Sequence, residues 1–264
     1  MYGELKVDVM QYLDTQDKSR LNTKIFLKTF FLFIIFLASY MMTLIAYSKS
    51  MVLGLCCNFI FVITSLLLVF CMFHDASHRS IGKGKGFNYL LCSLTASFFG
   101  AASNEWLIKH VKQHHGQTNI PGNDNDIEQG FIFRLHKARK KERWHQWQHL
   151  YALPLYSLIV LKWVYVSDFF TLLTNPHKLN SSRQWALLIN ILIIKTIHIF
   201  FFFVIPYNIT HSVGCTLLFF FFSFTLIGLV SSIIFQLAHL TGVQEFPNAR
   251  YQDWAEHQLG VLSR

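Results

Sequence analysis

Four long apolar runs organise the chain, at residues 25 to 47, 51 to 73, 185 to 207 and 212 to 238. At about 1.5 Å per helical residue, each is long enough to cross a hydrocarbon core of roughly 30 Å. Only the short stretch SKSM separates the first two, so they pair as a hairpin, and Pro206, Asn208 and His211 mark the turn of a second hairpin. Two hairpins leave every long polar segment on one side. Weaker apolar stretches at 87 to 102 and 150 to 166 are short for a span. The first is rich in Ser, Ala and Gly and the second carries Pro154 and Lys162, so both read as interfacial or re-entrant helices. The pattern predicts an all-α integral membrane protein with four spans, interfacial helices and a cytoplasmic cap rich in histidine.

Composition strengthens that reading. The 264 residues are 53% hydrophobic and 16% aromatic, with only 14% charged, far from the balance of an ordinary soluble domain. The formal charge of +9 does not call for nucleic acid, because membrane topology accounts for it. Arg79, Lys83, Lys85, Lys109, Lys112, Arg134, Lys137, Arg139, Lys140, Lys141 and Arg143 all follow the second span, which assigns that segment to the cytoplasm. Trp144, Trp147 and Tyr151 suit the headgroup level. The five cysteines have no CxxC spacing and read as small buried hydrophobes. A polar stretch precedes the first apolar run, which is too long for the roughly 7 to 15 residues of a leader's apolar core, so the first helix is expected to stay.

Histidines carry the candidate chemistry. His74 and His78, in FHDASH, are four apart at the end of the second span, where a continuing helix presents both rings on one face. His110 and His114 repeat that spacing with His115 adjacent, and His239 in FQLAHLTG lies at the same end of the fourth span. By contrast, His136, His145 and His149 in KARKKERWHQWQHLY read as a solvated basic and aromatic face, and His177, His198 and His211 are assigned no chemistry. Imidazoles in such number suit a transition metal. The zinc protease signature H-E-x-x-H needs a glutamate after its first histidine, where this chain has Asp75, so zinc hydrolysis is a runner-up. Haem needs only one or two axial ligands. Redox iron suits the cluster better, although the residues alone do not select it.

The segments HDASH, WLIKHVKQHHGQTNIPGNDNDIE, RWHQWQHLYALPLYSLIVLKWVYVSDF and QLAHLTGVQEFP, in that order between two hairpins, resemble the membrane fatty acid desaturases, most closely the acyl-lipid or front-end branch. The resemblance covers residues of about 30 to 258. It implies an oxidoreductase that introduces a double bond into an acyl chain, using molecular oxygen, a di-iron centre and electrons from a separate donor, a ferredoxin or a b-type cytochrome. The substrate would be an acyl lipid or acyl thioester. Iron ligands carried over by position are His74, His78, His110, His114, His115 and His239. Asp75, Asp124, Asp126 and Glu128 are candidates to orient the ligating rings, since such a ring usually donates its other N–H to a carboxylate or carbonyl. With no organelle-targeting segment or fused cytochrome-like domain read in the sequence, the expected location is a bacterial inner membrane, and the basic residues turn the histidine boxes to the cytoplasm.

One departure from the family's pattern bears on activity. Members carry a third box, Q-x-x-H-H, beyond the segment that reads YQDWAEHQLGVLSR here. The expected organisation is therefore a cytoplasmic N-terminal segment at 1 to 24, an incomplete desaturase-like membrane domain at 25 to 258 without that box, and a divergent end at 259 to 264. The alternatives to desaturation are a non-catalytic membrane remnant with a partial metal site, and a related membrane hydroxylase.

Overall fold

The computed structural model describes residues 2 to 15, 18 to 170, 181 to 239, 246 to 249 and 253 to 262, and among these no strand occurs. The helices are α1 (Tyr2–Asp14), α2 (Lys18–Lys49), α3 (Met51–Ser77), α4 (Lys85–Phe99), α5 (residues 103–114), α6 (Arg143–Ser157), α7 (Ile159–Phe170), α8 (Gln184–Thr210), α9 (Val213–His239) and α10 (Trp254–Leu262). Among the described residues, four helical segments are long and apolar enough to cross a membrane: Thr23–Lys49, Met51–Ser77, Gln184–Thr210 and Val213–Leu237. They coincide with the four apolar runs of the sequence. The chain is a multi-pass membrane protein. The apolar stretch after Arg143 is interrupted between Ser157 and Ile159, and α4 has 15 residues, so neither weak stretch forms an unbroken helix of spanning length.

The chain divides into two compact units, one holding residues 24–105 and 157–230, the other 1–23, 106–156 and 231–264. The first contains most of the spans, the fourth continuing beyond it from Ser231 to Leu237. Lipid tails are as apolar as leucine, so its helices must be held by close packing and by hydrogen bonds between them, not by a hydrophobic drive. Phenylalanine supplies much of the packing. Phe36 meets Phe61 and Phe98 with ring centroids 5.5 and 4.8 Å apart, and Phe202 stacks on Phe219 at 5.5 Å. Phe36, Phe61, Phe202, Phe219 and Phe224 are fully buried, while Phe30, Phe31, Ile35, Val52, Phe59, Ile63 and Leu192 stay exposed. An apolar outer surface of that extent suits a bilayer. Polar side chains fasten the helices. Asn58 donates to the Tyr47 hydroxyl at 3.1 Å and accepts from Ser223 at 2.8 Å, and Tyr40 donates to the Phe201 carbonyl at 2.6 Å.

A second set of polar groups locks α8 against α7 and the chain after α4. Lys195 pairs with Asp168 at 2.7 Å and donates to the carbonyls of Gly100 and Val164, while Asp168 also accepts from the Ala102 amide at 3.2 Å. Lys195 is 8% exposed and Asp168 fully buried, beside the cluster of Ala102, Ile191 and Ile194. A charge at this depth is tolerated because it is paired and its donors are spent. His198, given no chemistry by the sequence, is also structural, with Nδ1 donating to the Phe98 carbonyl at 3.0 Å and Nε2 accepting from the Tyr165 hydroxyl at 2.8 Å.

In the second unit, Ile120, Ile127, Phe133, Leu135, Ala255 and Val261 are buried, and Phe133 stacks on Tyr156 at 5.1 Å. Two histidines here correct the expected solvated face. His136 and His145 are only 6% and 8% exposed. His136 Nε2 bonds Glu128 at 2.9 Å, and His145 accepts from the Glu142 amide at 2.9 Å while donating to the Phe131 carbonyl at 3.2 Å. Both rings are buried with hydrogen-bond partners in the irregular segment around them, as buried polar groups usually are. His149 is exposed, as read from the sequence, and His177 lies outside the described residues.

Candidate metal centre

The second histidine box lies on a distorted helical turn, and the first starts at the end of another, with the His78 amide back on an ordinary i→i+4 bond to the His74 carbonyl at 3.3 Å. Val69–His74 and Leu107–His114 follow the wider i→i+5 pattern, with the His115 amide bonded to the His110 carbonyl at 3.1 Å. In an ordinary helix of about 3.6 residues per turn, His114 shares a face with His110 but His115 does not. The wider turn brings residues five apart onto one face, so His114 and His115 both reach His110. Ring centroids lie 5.5 Å apart for His110 and His114, 4.6 Å for His110 and His115, and 4.8 Å for His114 and His115. Trp106 stacks on His110 at 4.2 Å and limits its rotation.

These donors suit a metal. Within the second unit, His110, His114 and Asp126 offer ligand atoms that all lie within 4.8 Å of one another. His110 Nε2 and His115 Nε2 are 3.2 Å apart, the arrangement of two lone pairs that share a proton or face one cation. Two or three imidazoles with a carboxylate form a donor set for a divalent first-row metal. Asp124 prepares one of these rings. His114 Nδ1 bonds Asp124 Oδ1 at 3.0 Å, which places the ring's lone pair on Nε2, and Asp124 is held in turn by the Asn119 and Asp126 amides at 2.8 and 2.9 Å. A ligating imidazole is commonly oriented by a carboxylate in this way.

The electrostatics follow from the same contacts. Burial works against a charge on His114, but its hydrogen bond to Asp124 and the charges of Asp126 and Asp124 outweigh it and hold the pKa above the usual histidine value. Burial alone would raise Asp124, yet His114 and the two amides lower it, whereas burial leads at Asp126 and raises it. A metal cation bound by the Nε2 lone pair would compete with protonation there, leaving the Nδ1 proton in its hydrogen bond to Asp124.

The remaining residues singled out by the sequence are placed as follows. In the unit with the spans, His74 and His78 stand with ring centroids 4.7 Å apart, His74 half-buried and His78 exposed. Asp75 lies 3.4 Å from His74 Nδ1 and 3.9 Å from Lys28. Glu128 is engaged away from the box histidines, taking His136 at 2.9 Å, the Gly122 amide at 3.0 Å and Arg139 at 2.7 Å. His239 closes α9, and its side chain lies outside the described residues. The sequence reading missed Thr118, Asn119, His257 and Gln258. The fully buried His257 donates to the Thr118 carbonyl at 3.0 Å, and Gln258 donates to the His115 carbonyl at 3.2 Å. The TN pair after the second box was a visible signal, but its partners are some 140 residues away.

Comparison with known proteins places this geometry in context. The sequence model of a family described as Fatty acid desaturase matches residues 48–262. An acyl-lipid (8-3)-desaturase of Physcomitrium patens is 31% identical over 182 residues, covering 66% of this chain and 37% of that protein. A probable Delta(5) fatty acid desaturase C of Dictyostelium discoideum is 28% identical over 273 residues, 98% of this chain and 59% of that protein. An sn-1 linoleoyl-lipid 6-desaturase of Arthrospira platensis is 28% identical over 182 residues, 66% and 47% respectively. The chain thus spans between 37% and 59% of the length of these curated relatives. No solved structure matches it.

Proposed function

Because the chain belongs to the fatty acid desaturase family, we propose that it inserts a double bond into the acyl chain of a membrane lipid, with His74, His78, His110, His114, His115 and His239 as ligands of the iron ions that the family employs. The balanced change converts –CH2–CH2– to –CH=CH– while O2, two electrons and two protons become two waters. Iron supplies the oxidising power that an unactivated C–H bond demands and that side chains lack. The electrons come from a separate donor protein, a ferredoxin or a b-type cytochrome. An acyl lipid is favoured over a thioester because two of the relatives above are named for lipid-linked substrates.

The observation that carries this reading is the gathering of His110, His114 and Asp126 on one wide helical turn and its following loop, with Asp124 fixing one ring. What the chain's own residues contribute is orientation. Trp106 and Asp124 restrict the rings before any metal arrives, which lowers the cost of binding. The apolar faces of the spans admit an acyl tail from the bilayer. The orientation we assign puts residues 79 to 143 on the cytoplasmic side of a bacterial inner membrane, supported by the lysines and arginines of that segment.

The test is expression in an aerobic host, with fatty acid analysis of its lipids and iron measured in the detergent-purified protein. The expected outcome is a new unsaturated acyl product and bound iron, both lost in His110→Ala. Hydroxylated acyl chains would assign the related hydroxylase chemistry instead. Iron-free protein with unchanged lipids would reduce the chain to a non-catalytic membrane protein.

A further inference from the structure

The second histidine box ends in a turn whose carbonyls have left the helix. His114 is buried, and after His115 the chain folds back through Gly116 and Gln117 to Thr118 and Asn119, both buried. Carbonyls in such a turn need donors from outside it. Helix α10 provides them. His257 Nε2 donates to the Thr118 carbonyl at 3.0 Å, and Gln258 Nε2 donates to the His115 carbonyl at 3.2 Å and the Thr118 hydroxyl at 3.1 Å. In return Asn119 Nδ2 donates to the Val261 carbonyl at 3.2 Å.

Asn119 links this brace to the candidate ligands. Its backbone is in the left-handed region, with φ of 58°, which costs energy for a residue with a Cβ but is tolerated best by asparagine and aspartate. In that conformation its amide points at Asp124 Oδ2, 2.8 Å away, and the other oxygen of Asp124 holds His114 Nδ1. Thr118 closes the circuit by donating to the His114 carbonyl at 2.8 Å. The connections therefore run from α10 through Thr118 and Asn119 to Asp124, and from there to the imidazole of His114.

We infer that His257 and Gln258 are positioning residues for the metal site, setting the turn in which His114 and His115 present their nitrogens; the inference rests on the metal reading of that site. His257 acts through the backbone, since its Nε2 proton is committed to the Thr118 carbonyl. Removing either donor frees the turn, and with it the orientation of His114.

The experiment is an anaerobic Fe(II) titration of the detergent-purified full chain against a chromophoric chelator, with the Co(II) absorption spectrum as a second readout of ligand geometry. Loss of an outer partner of a metal ligand typically weakens binding by about 10- to 100-fold, so His257→Ala and Gln258→Ala should fall in that range with an altered Co(II) spectrum. His257→Gln retains an N–H donor and should recover most of the affinity. Val261→Ala thins the packing of the same helix, and should lower the melting temperature while leaving both metal readouts near wild type. Equal losses in Val261→Ala and His257→Ala would show general packing at work and overturn the inference. So would wild-type affinity in both alanine variants, with the metal site itself intact. A wild-type protein that binds neither Fe(II) nor Co(II) overturns the metal reading along with this one.

Discussion

His114 carries the residue-scale argument, because its usefulness depends on which ring nitrogen holds the proton. Asp124 decides that, at 3.0 Å from Nδ1. Replacement of Asp124 by asparagine keeps the shape but loses the charge, and lets an amide face Nδ1 with either a donor or an acceptor. We expect Asp124→Asn to weaken Fe(II) binding by about tenfold, measured by chelator competition, with expression and membrane insertion unchanged. Unaltered affinity would remove Asp124 from the site. Gly100 makes the corresponding point about the fold. It ends α4 at φ of 80°, where a Cβ would stand 2.7 Å from the His198 ring and 2.9 Å from Val164. The left-handed backbone alone costs an L-residue roughly 1–2 kcal/mol, and overpacking typically adds about 1–3 kcal/mol. Gly100→Ala should accordingly lower the unfolding midpoint in detergent, while Gly122→Ala, at a similar φ of 82° with open space around it, should lower it less.

At the scale of elements, the spans are joined by contacts whose effect on stability depends on both partners. Lys195 on α8 and Asp168 on α7 form a buried pair at 2.7 Å. Breaking such a pair on one side leaves a lone buried charge and costs roughly 3–5 kcal/mol, whereas replacing both with apolar residues is often close to neutral. Lys195→Met should therefore destabilise more than the double variant Lys195→Met with Asp168→Leu, by denaturant titration in detergent micelles. A double variant as unstable as the single would mean that the lost bonds to Gly100, Val164 and Ala102 outweigh the pairing itself. The wide turns of α3 and α5 belong to this scale too. A histidine spacing of four suggested one shared face for His110 and His114, but the i→i+5 turn that adds His115 was not foreseen, since nothing in local propensity announces it.

For the whole molecule the consequence is topological. Four crossings would place Ser50 and Ser212 on one side and the long polar segments on the other. In a variant with the five native cysteines replaced, an impermeant thiol reagent should label cysteine at Ser50 or Ser212 from one face of sealed vesicles and at Ser80 or Lys140 from the opposite face. Labelling at Gln184 from the same face as Ser80 is also expected, since the interrupted pair α6 and α7 then does not cross; labelling from the far face would add a fifth crossing.

The spans, the helical class, the family and the spacing of the boxes were legible because they are local properties. A bilayer forces each segment to satisfy its own backbone, so apolar length is readable directly from the residues, and residues four apart share a helical face wherever a helix forms. Tertiary structure alone decided which carboxylate holds His114, that His136 and His145 are buried, that Lys195 meets Asp168, and that α10 reaches back to Thr118 and Asn119. These are pairings across 10, 27 and about 140 residues. They carry no period, and they exist because polar groups removed from water must find partners wherever the folded chain brings them.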